Sequence, residues 1–139
     1  EKEIIIGNAL VDMYARCGLI YMSEEVFEKI PCRNVVSWNA IITGYVELGH
    51  AEEALSRYEQ MQREGVHPNV VTYVGLLKAC SGIEAADKGI EIHDKVLKEG
   101  FLEKNMSICN ALVDMYAACG ALMTTHQVLH EHPIWEVSS

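Results

Sequence analysis

The sequence predicts an all-α fold, an α-solenoid of stacked helix-turn-helix repeats. Three observations lead to it. Residues 8–18 (NALVDMYARCG) return as residues 110–120 (NALVDMYAACG) with a single difference, and near-identity at a fixed offset marks a repeat architecture. The offset of 102 residues divides into intervals of 31, 35 and 36 when Asn8, Asn39, Val74 and Asn110 are taken as equivalent, and units of that length hold a helix pair. Apolar residues recur every three or four positions, and no alternating, strand-like run competes.

Each element follows in order. In the first unit Ile6, Leu10, Met13 and Cys17 form a helical stripe that Gly18 stops. A second stripe through Val26, Phe27 and Ile30 ends at Pro31. The second unit runs through Trp38, Ile41, Ile42 and Tyr45 to Gly49. It then resumes from Glu52 to Glu64 through Ala54, Leu55, Tyr58 and Met61, closed by Gly65 and Pro68. The third carries Leu76, Leu77 and Cys80, with a break predicted at Ser81-Gly82, then Ile90, Ile92, Val96 and Leu97 up to Gly100. The NALVDMYAACG segment opens a fourth. Ser23, Ala54, Gly89 and Thr125 fall at matching places in the second helices, where small side chains let stacked pairs approach closely.

Composition narrows the function. Of 139 residues half are hydrophobic, enough for a core of ordinary domain size, yet no apolar run reaches the roughly 18–20 residues that span a bilayer. No membrane partner is expected. The chain starts Glu1-Lys2-Glu3-Ile4-Ile5-Ile6, without an initiator methionine or signal-like segment, and reads as an internal fragment or a processed chain. Cys17, Cys32, Cys80, Cys109 and Cys119 are odd in number and show no C-x-x-C spacing. They are expected to be reduced and mostly buried, as small hydrophobes. The net charge of −9, from 20 acids and 11 bases, repels polyanions at long range.

With these residues in view, the chain resembles the pentatricopeptide repeat proteins of plants, in the class that cycles short, standard and long motifs. NALVDMYARCG is similar to the short motif, VSWNAIITGYVELGHAEEAL to the standard one, and VTYVGLLKAC with DKGIEIHDKV to the long one. NALVDMYAACG then restarts the cycle. In that register the repeats are 4–34 (short), 35–69 (standard), 70–105 (long) and 106–136 (short), and 137–139 begin a truncated fifth.

The resemblance implies recognition of single-stranded RNA at about one base per repeat, by two or three side chains. The implied readers are the fifth and last residues of each motif: Asn8 with Asn34, Asn39 with Asn69, Val74 with Asn105, and Asn110 with Glu136. The fifth residue is expected in the first turn of the first helix, where an amide that donates and accepts suits a base edge. Residues at the second position sandwich bases: Ile5, Val36 and Val71, with Ser107 a poor substitute. In the family's scheme an Asn–Asn pair favours pyrimidines, cytosine ahead of uracil. Pyrimidine preference is therefore expected at the first two repeats. Val74 should contribute little readout, and no base is assigned to Asn110–Glu136.

The resemblance also implies a basic residue near the end of the first helix for phosphate. Arg16 fills that place, but its counterparts are Glu47, Gly82 and Ala118, and Asp12 and Asp114 sit on first helices too. RNA binding by this segment is therefore expected to be weak and salt-sensitive. The parent would be an organellar RNA-processing or editing specificity factor in a mitochondrion or chloroplast, its long repeat able to hold an accessory editing factor. A protein-interaction scaffold that binds a peptide is the competing reading, favoured by the acidic charge.

No enzyme, cofactor or metal site is expected. His126 and His130 share helical spacing with His132 close by, but the repeat equivalents of the first two are Glu24 and Glu28, polar surface positions. His93 aligns with Phe27 and Tyr58, a packing position. The H-x-E and C-x-x-C signature of zinc deaminases is missing, for His130-Glu131-His132 has the wrong order. Tyr14, Trp38, Tyr45 and Tyr116 fall on core stripes. Exposed apolar ends, Ile4–Ile6 and Trp135, would favour end-to-end self-association.

Overall fold

The computed structural model describes residues 2–102 and 105–120. Thr125, the histidines His126, His130 and His132, Trp135, Glu136 and the start of a fifth unit at 137–139 lie outside the described residues. Those described form seven helices and no strand: α1 (Lys2–Arg16), α2 (Ile20–Lys29), α3 (Val35–Glu47), α4 (Ala51–Arg63), α5 (Val70–Ile83), α6 (Ala86–Lys98) and α7 (Met106–Ala118). None is long and apolar enough to cross a membrane.

The helices stack in two rows. In the first, α1 packs on α3, α3 on α5 and α5 on α7. In the second, each helix packs on its own partner and on the next first helix: α2 on α3, α4 on α5, α6 on α7. No close backbone approach joins α2 to α4 or α4 to α6. The row of first helices is thus the tighter arc, and its open face is the concave side. Contacts confined to neighbours make the molecule a solenoid.

A continuous core fills the space between the rows. Trp38, Ile41, Ile42, Met61, Tyr73, Leu76, Leu77, Ile92, Ile108 and Leu112 are fully or almost fully buried. Phe27 meets Trp38 edge to face at 4.8 Å between centroids, a geometry that adds to simple burial. Of the small residues of the second helices, Ser23, Ala54 and Gly89 are buried as expected. The Ser23 hydroxyl donates to the Val11 carbonyl at 2.7 Å, and a Cβ on Gly89 would stand 2.3 Å from Met115 Sδ. His93 packs in the core with Nδ1 2.7 Å from the Tyr116 hydroxyl.

Three local expectations are corrected. In α1 the buried line is Gly7, Asn8, Val11 and Ala15, while Ile6, Met13 and Cys17 are exposed. The counterparts of Ile6, Leu10 and Met13 are Ser37, Ile41 and Gly44, all buried against α1 and its neighbours. No described element lies before α1 to cover the same face there. The break predicted at Ser81-Gly82 does not occur. Instead α5 runs on to Ile83 and turns at Glu84, which adopts the left-handed conformation (φ 54°). Cysteine burial also divides: Cys80 and Cys109 are buried and Cys119 half-buried, but Cys17 and Cys32 are exposed, at a helix end and in a connecting turn. Burial pushes the Cys80 thiol up to about 11.

Candidate nucleic-acid interface

Helix starts shape the concave face. Asn34 precedes α3 and Asn69 precedes α5, both with extended backbone that turns the side chain back onto the first turn. Asn34 Oδ1 accepts the Ser37 backbone N–H at 3.1 Å, while the Asn34 N–H donates to Ser37 Oγ at 3.2 Å. Asn69 and Thr72 repeat this at 3.3 and 3.1 Å. Such reciprocal caps satisfy two backbone donors that a helix start leaves without partners.

Each capping asparagine reaches a second asparagine, on the first helix of the repeat that it closes. Asn8 Nδ2 donates to Asn34 Oδ1 at 3.2 Å, and Asn39 Nδ2 donates to Asn69 Oδ1 at 3.0 Å. The Ser37 hydroxyl donates to Asn8 Oδ1 and the Thr72 hydroxyl to Asn39 Oδ1. Asn39 stands five residues into a helix that starts at Val35, so it lies in the second turn rather than the first. The first turn is occupied by the cap.

These residues share one groove of about 680 Å³ lined by Ile5, Asn8, Asn34, Val36, Asn39, Asn69 and Val71, with Ala9, Asp12, Ala40 and Thr43 between them. Ile5, Val36 and Val71 are 69%, 55% and 56% exposed. Apolar side chains of that size do not stay in water without a cost, and here three occur at one repeat position on one face.

The next stretch differs. Val74 and Ser107 line a smaller hollow of about 330 Å³ with Thr43, Val46, Glu47, Val70, Val71, Gly75 and Lys78. Asn105 caps nothing with its side chain and donates instead to the Phe101 carbonyl at 2.9 Å. Asn110 is exposed on α7. Glu136, its expected partner, lies outside the described residues.

Charge on this face is sparse. Arg16 pairs with Asp12 at 2.9 Å, an i,i+4 contact with both side chains largely in water, which neutralises Arg16 and contributes little stability. Lys78, missed by the sequence reading, is exposed in the second hollow and makes no ion pair among the described residues. Its repeat position is that of Asp12 and Thr43. That position lies four residues before the counterpart of Arg16, on the same face of the first helix, which is the signal the sequence carried. Among the described residues no group of three or more metal-ligating side chains comes together.

Comparison with known proteins agrees with this architecture. A family model described as PPR repeat matches residues 8–35, and one described as PPR repeat family matches 33–82. A pentatricopeptide repeat-containing protein of Arabidopsis thaliana is 38% identical over 136 residues, covering 98% of this chain and 20% of that protein. A putative, mitochondrial pentatricopeptide repeat-containing protein of the same plant is 41% identical over 133 residues, 96% of this chain and 21% of the relative. The crystal structure of the pentatricopeptide repeat protein PPR10 from maize superposes with TM-score 0.73 at 26% identity, covering 97% of this chain and 20% of that one. PPR10 in complex with an 18-nt psaJ RNA element gives TM-score 0.73 at 25% identity, over 90% and 19%. The chain spans about a fifth of the length of these relatives.

Proposed function

The chain belongs to the pentatricopeptide repeat family, and from that premise we propose that it is a single-stranded RNA-binding segment of an organellar RNA-processing or editing specificity factor. One observation carries the proposal: Asn8 with Asn34 and Asn39 with Asn69 meet in a single groove with Ile5, Val36 and Val71. Amides that can meet base edges, interleaved with apolar side chains that can flank base faces, are what readout of unstacked bases requires.

The repeats are 4–34, 35–69, 70–105 and 106–136, in a short, standard, long, short cycle. Helix starts at Val35, Val70 and Met106 support this register. The first two repeats prefer pyrimidines. The third contributes little readout, because Val74 offers no hydrogen bond and Asn105 is engaged elsewhere. Lys78 and Arg16 meet phosphates, Arg16 at the expense of its pair with Asp12. Catalysis belongs to another domain or protein, and the long repeat is the place for an accessory factor. The location is a mitochondrion or chloroplast, and similar proteins whose names include "mitochondrial" support the first of these. The scaffold reading, with the groove holding a peptide, draws support from the net charge of −9. End-to-end self-association through the exposed Ile5 and Ile6 would appear as concentration-dependent elution in size exclusion.

Titration of fluorescent single-stranded pyrimidine and purine RNAs into the chain at low salt decides between RNA and peptide. Pyrimidine RNA should bind, and purine RNA less well. Exchanging Asn39→Thr together with Asn69→Asp should move the preference toward guanine. Equal binding of purines, or none of either at high micromolar protein, would sink the RNA assignment.

A further inference from the structure

Within the RNA-binding reading, each asparagine pair is held by a third side chain that belongs to the following repeat. We propose that Ser37 and Thr72 are positioning residues for base recognition: each hydroxyl fixes, across a repeat junction, which end of the reading asparagine's amide points where.

An asparagine amide can turn over, exchanging its donor and acceptor ends. At the first junction the choice is removed one group at a time. Asn34 must present Oδ1 to its helix, because it caps the Ser37 N–H at 3.1 Å. Asn8 must then bring Nδ2 to that oxygen, at 3.2 Å. Its own Oδ1 is left facing Ser37 Oγ, whose proton it accepts. Asn8 is only 8% exposed, so little water is available to rescue the reversed amide. The second junction repeats each hydrogen bond with Asn39, Asn69 and Thr72, with Asn39 half-buried.

What remains uncommitted is informative. The Asn34 and Asn69 amino groups donate to nothing among the described residues, while their oxygens are fully engaged. The groove therefore offers donors, which complement O2 and N3 of cytosine and the carbonyl oxygens of uracil. The hydroxyl preserves this arrangement by keeping the Asn8 or Asn39 amino group, rather than its oxygen, against the capping asparagine.

The third junction supplies a comparison inside the same chain. There the fifth residue is Val74, and the position of Ser37 and Thr72 is taken by Ile108, which is fully buried. Amide and hydroxyl are absent together, and Asn105 turns to the Phe101 carbonyl without capping. The hydroxyl thus accompanies the reading asparagine.

The test compares Thr72→Val, which keeps the shape and removes the hydroxyl, with Thr72→Ser, which restores it. Both are measured by RNA titration and by NMR of the Asn39 side-chain amide. T72V should lose about fivefold in pyrimidine-over-purine discrimination, the factor that one net hydrogen bond of ordinary strength supplies. Its Asn39 amide protons should shift and exchange faster with solvent, and T72S should keep wild-type values of both. Ser37→Ala and Ser37→Thr provide the same comparison on Asn8 if T72V does not fold. Unchanged amide signals and discrimination in the hydroxyl-free variants overturn the proposal. A wild-type chain that binds no RNA overturns the RNA reading instead, and the amide signals still report whether the hydroxyl holds the asparagine.

Discussion

Glu84 occupies the repeat position that Gly18, Gly49 and Gly120 hold in the other units. At Gly49 (φ 81°) the chain leaves α3 with the His50 N–H bonded to the Tyr45 carbonyl at 2.8 Å, the six-to-one closure of a glycine-terminated helix. Glu84 makes the same closure, Ala85 N–H to the Cys80 carbonyl at 3.0 Å, but with φ 54°. A side chain in that conformation costs roughly 1–2 kcal/mol, and a carboxylate at a helix C-terminus opposes the helix dipole. Glycine loses more entropy on folding than other residues, which offsets roughly half of the gain. Glu84→Gly should therefore stabilise the chain by about 1 kcal/mol and raise Tm by roughly 2–4 °C, measured by thermal denaturation followed by circular dichroism. A lower Tm would mean that the strain is not there. The stop itself was legible only through the repeat period. Local chemistry pointed two residues early, to Gly82, because glycine is the usual breaker and the helix was being carried on by the buried Ala79 and Cys80.

Between elements, the outer row is tied by side chains where backbones stay apart. Arg57 of α4 pairs with Glu24 and Glu28 of α2, bonds to Gln60 Oε1 at 2.7 Å, and lies 4.9 Å from the centroid of the Phe27 ring. The Tyr45 hydroxyl donates to the same Glu24, and burial together with that carboxylate pushes the phenol well above its usual value. Arg33 stacks on Phe27 and Trp38 and reaches Glu64 at 3.2 Å. Arg57 and Glu24 are mostly out of water, at 15% and 21% side-chain exposure, so removing one partner strands the other. Arg57→Ala should cost about 2 kcal/mol in urea denaturation, with Arg57→Lys in between because it keeps the charge but not the planar fork. Lys88–Glu59, which spans α4 and α6 at 2.9 Å but stands 40% and 49% exposed, is the control: Lys88→Ala should change stability by less than about 0.5 kcal/mol. An equal loss in both would refute the argument from burial. The ion pairs between units were not legible in the sequence, since Arg57–Glu24, Arg57–Glu28, Arg33–Glu64 and Lys88–Glu59 each join residues about thirty positions apart. The same limit hid the Ser37 and Thr72 hydroxyls, whereas the asparagine pairs, separated almost as far, were implied by the family resemblance, which singles out the fifth and last residues of each motif.

At the scale of the whole molecule, two electrostatic effects have opposite signs. A net charge of −9 on 139 residues repels itself, and salt that shortens the Debye length to about 8–10 Å screens that repulsion. Folding stability should therefore rise with ionic strength. RNA binding should move the other way, because each phosphate met by a cation releases counterions, and log K falls with log salt at about −0.7 per contact for single strands. The described concave face offers two candidates, Lys78 without an ion pair and Arg16 held by Asp12. Two contacts give a slope of about −1.4, and Lys78→Gln should reduce it to about −0.7. Thermal melting and RNA titration of one preparation, from about 50 to about 200 mM salt, read both trends together. A slope steeper than about −3 would require cations other than these two, and would place the RNA elsewhere than in the groove of Asn8 and Asn39. A slope near zero, with pyrimidine preference retained, would mean that the asparagine amides and the apolar side chains bind the bases with no help from charge.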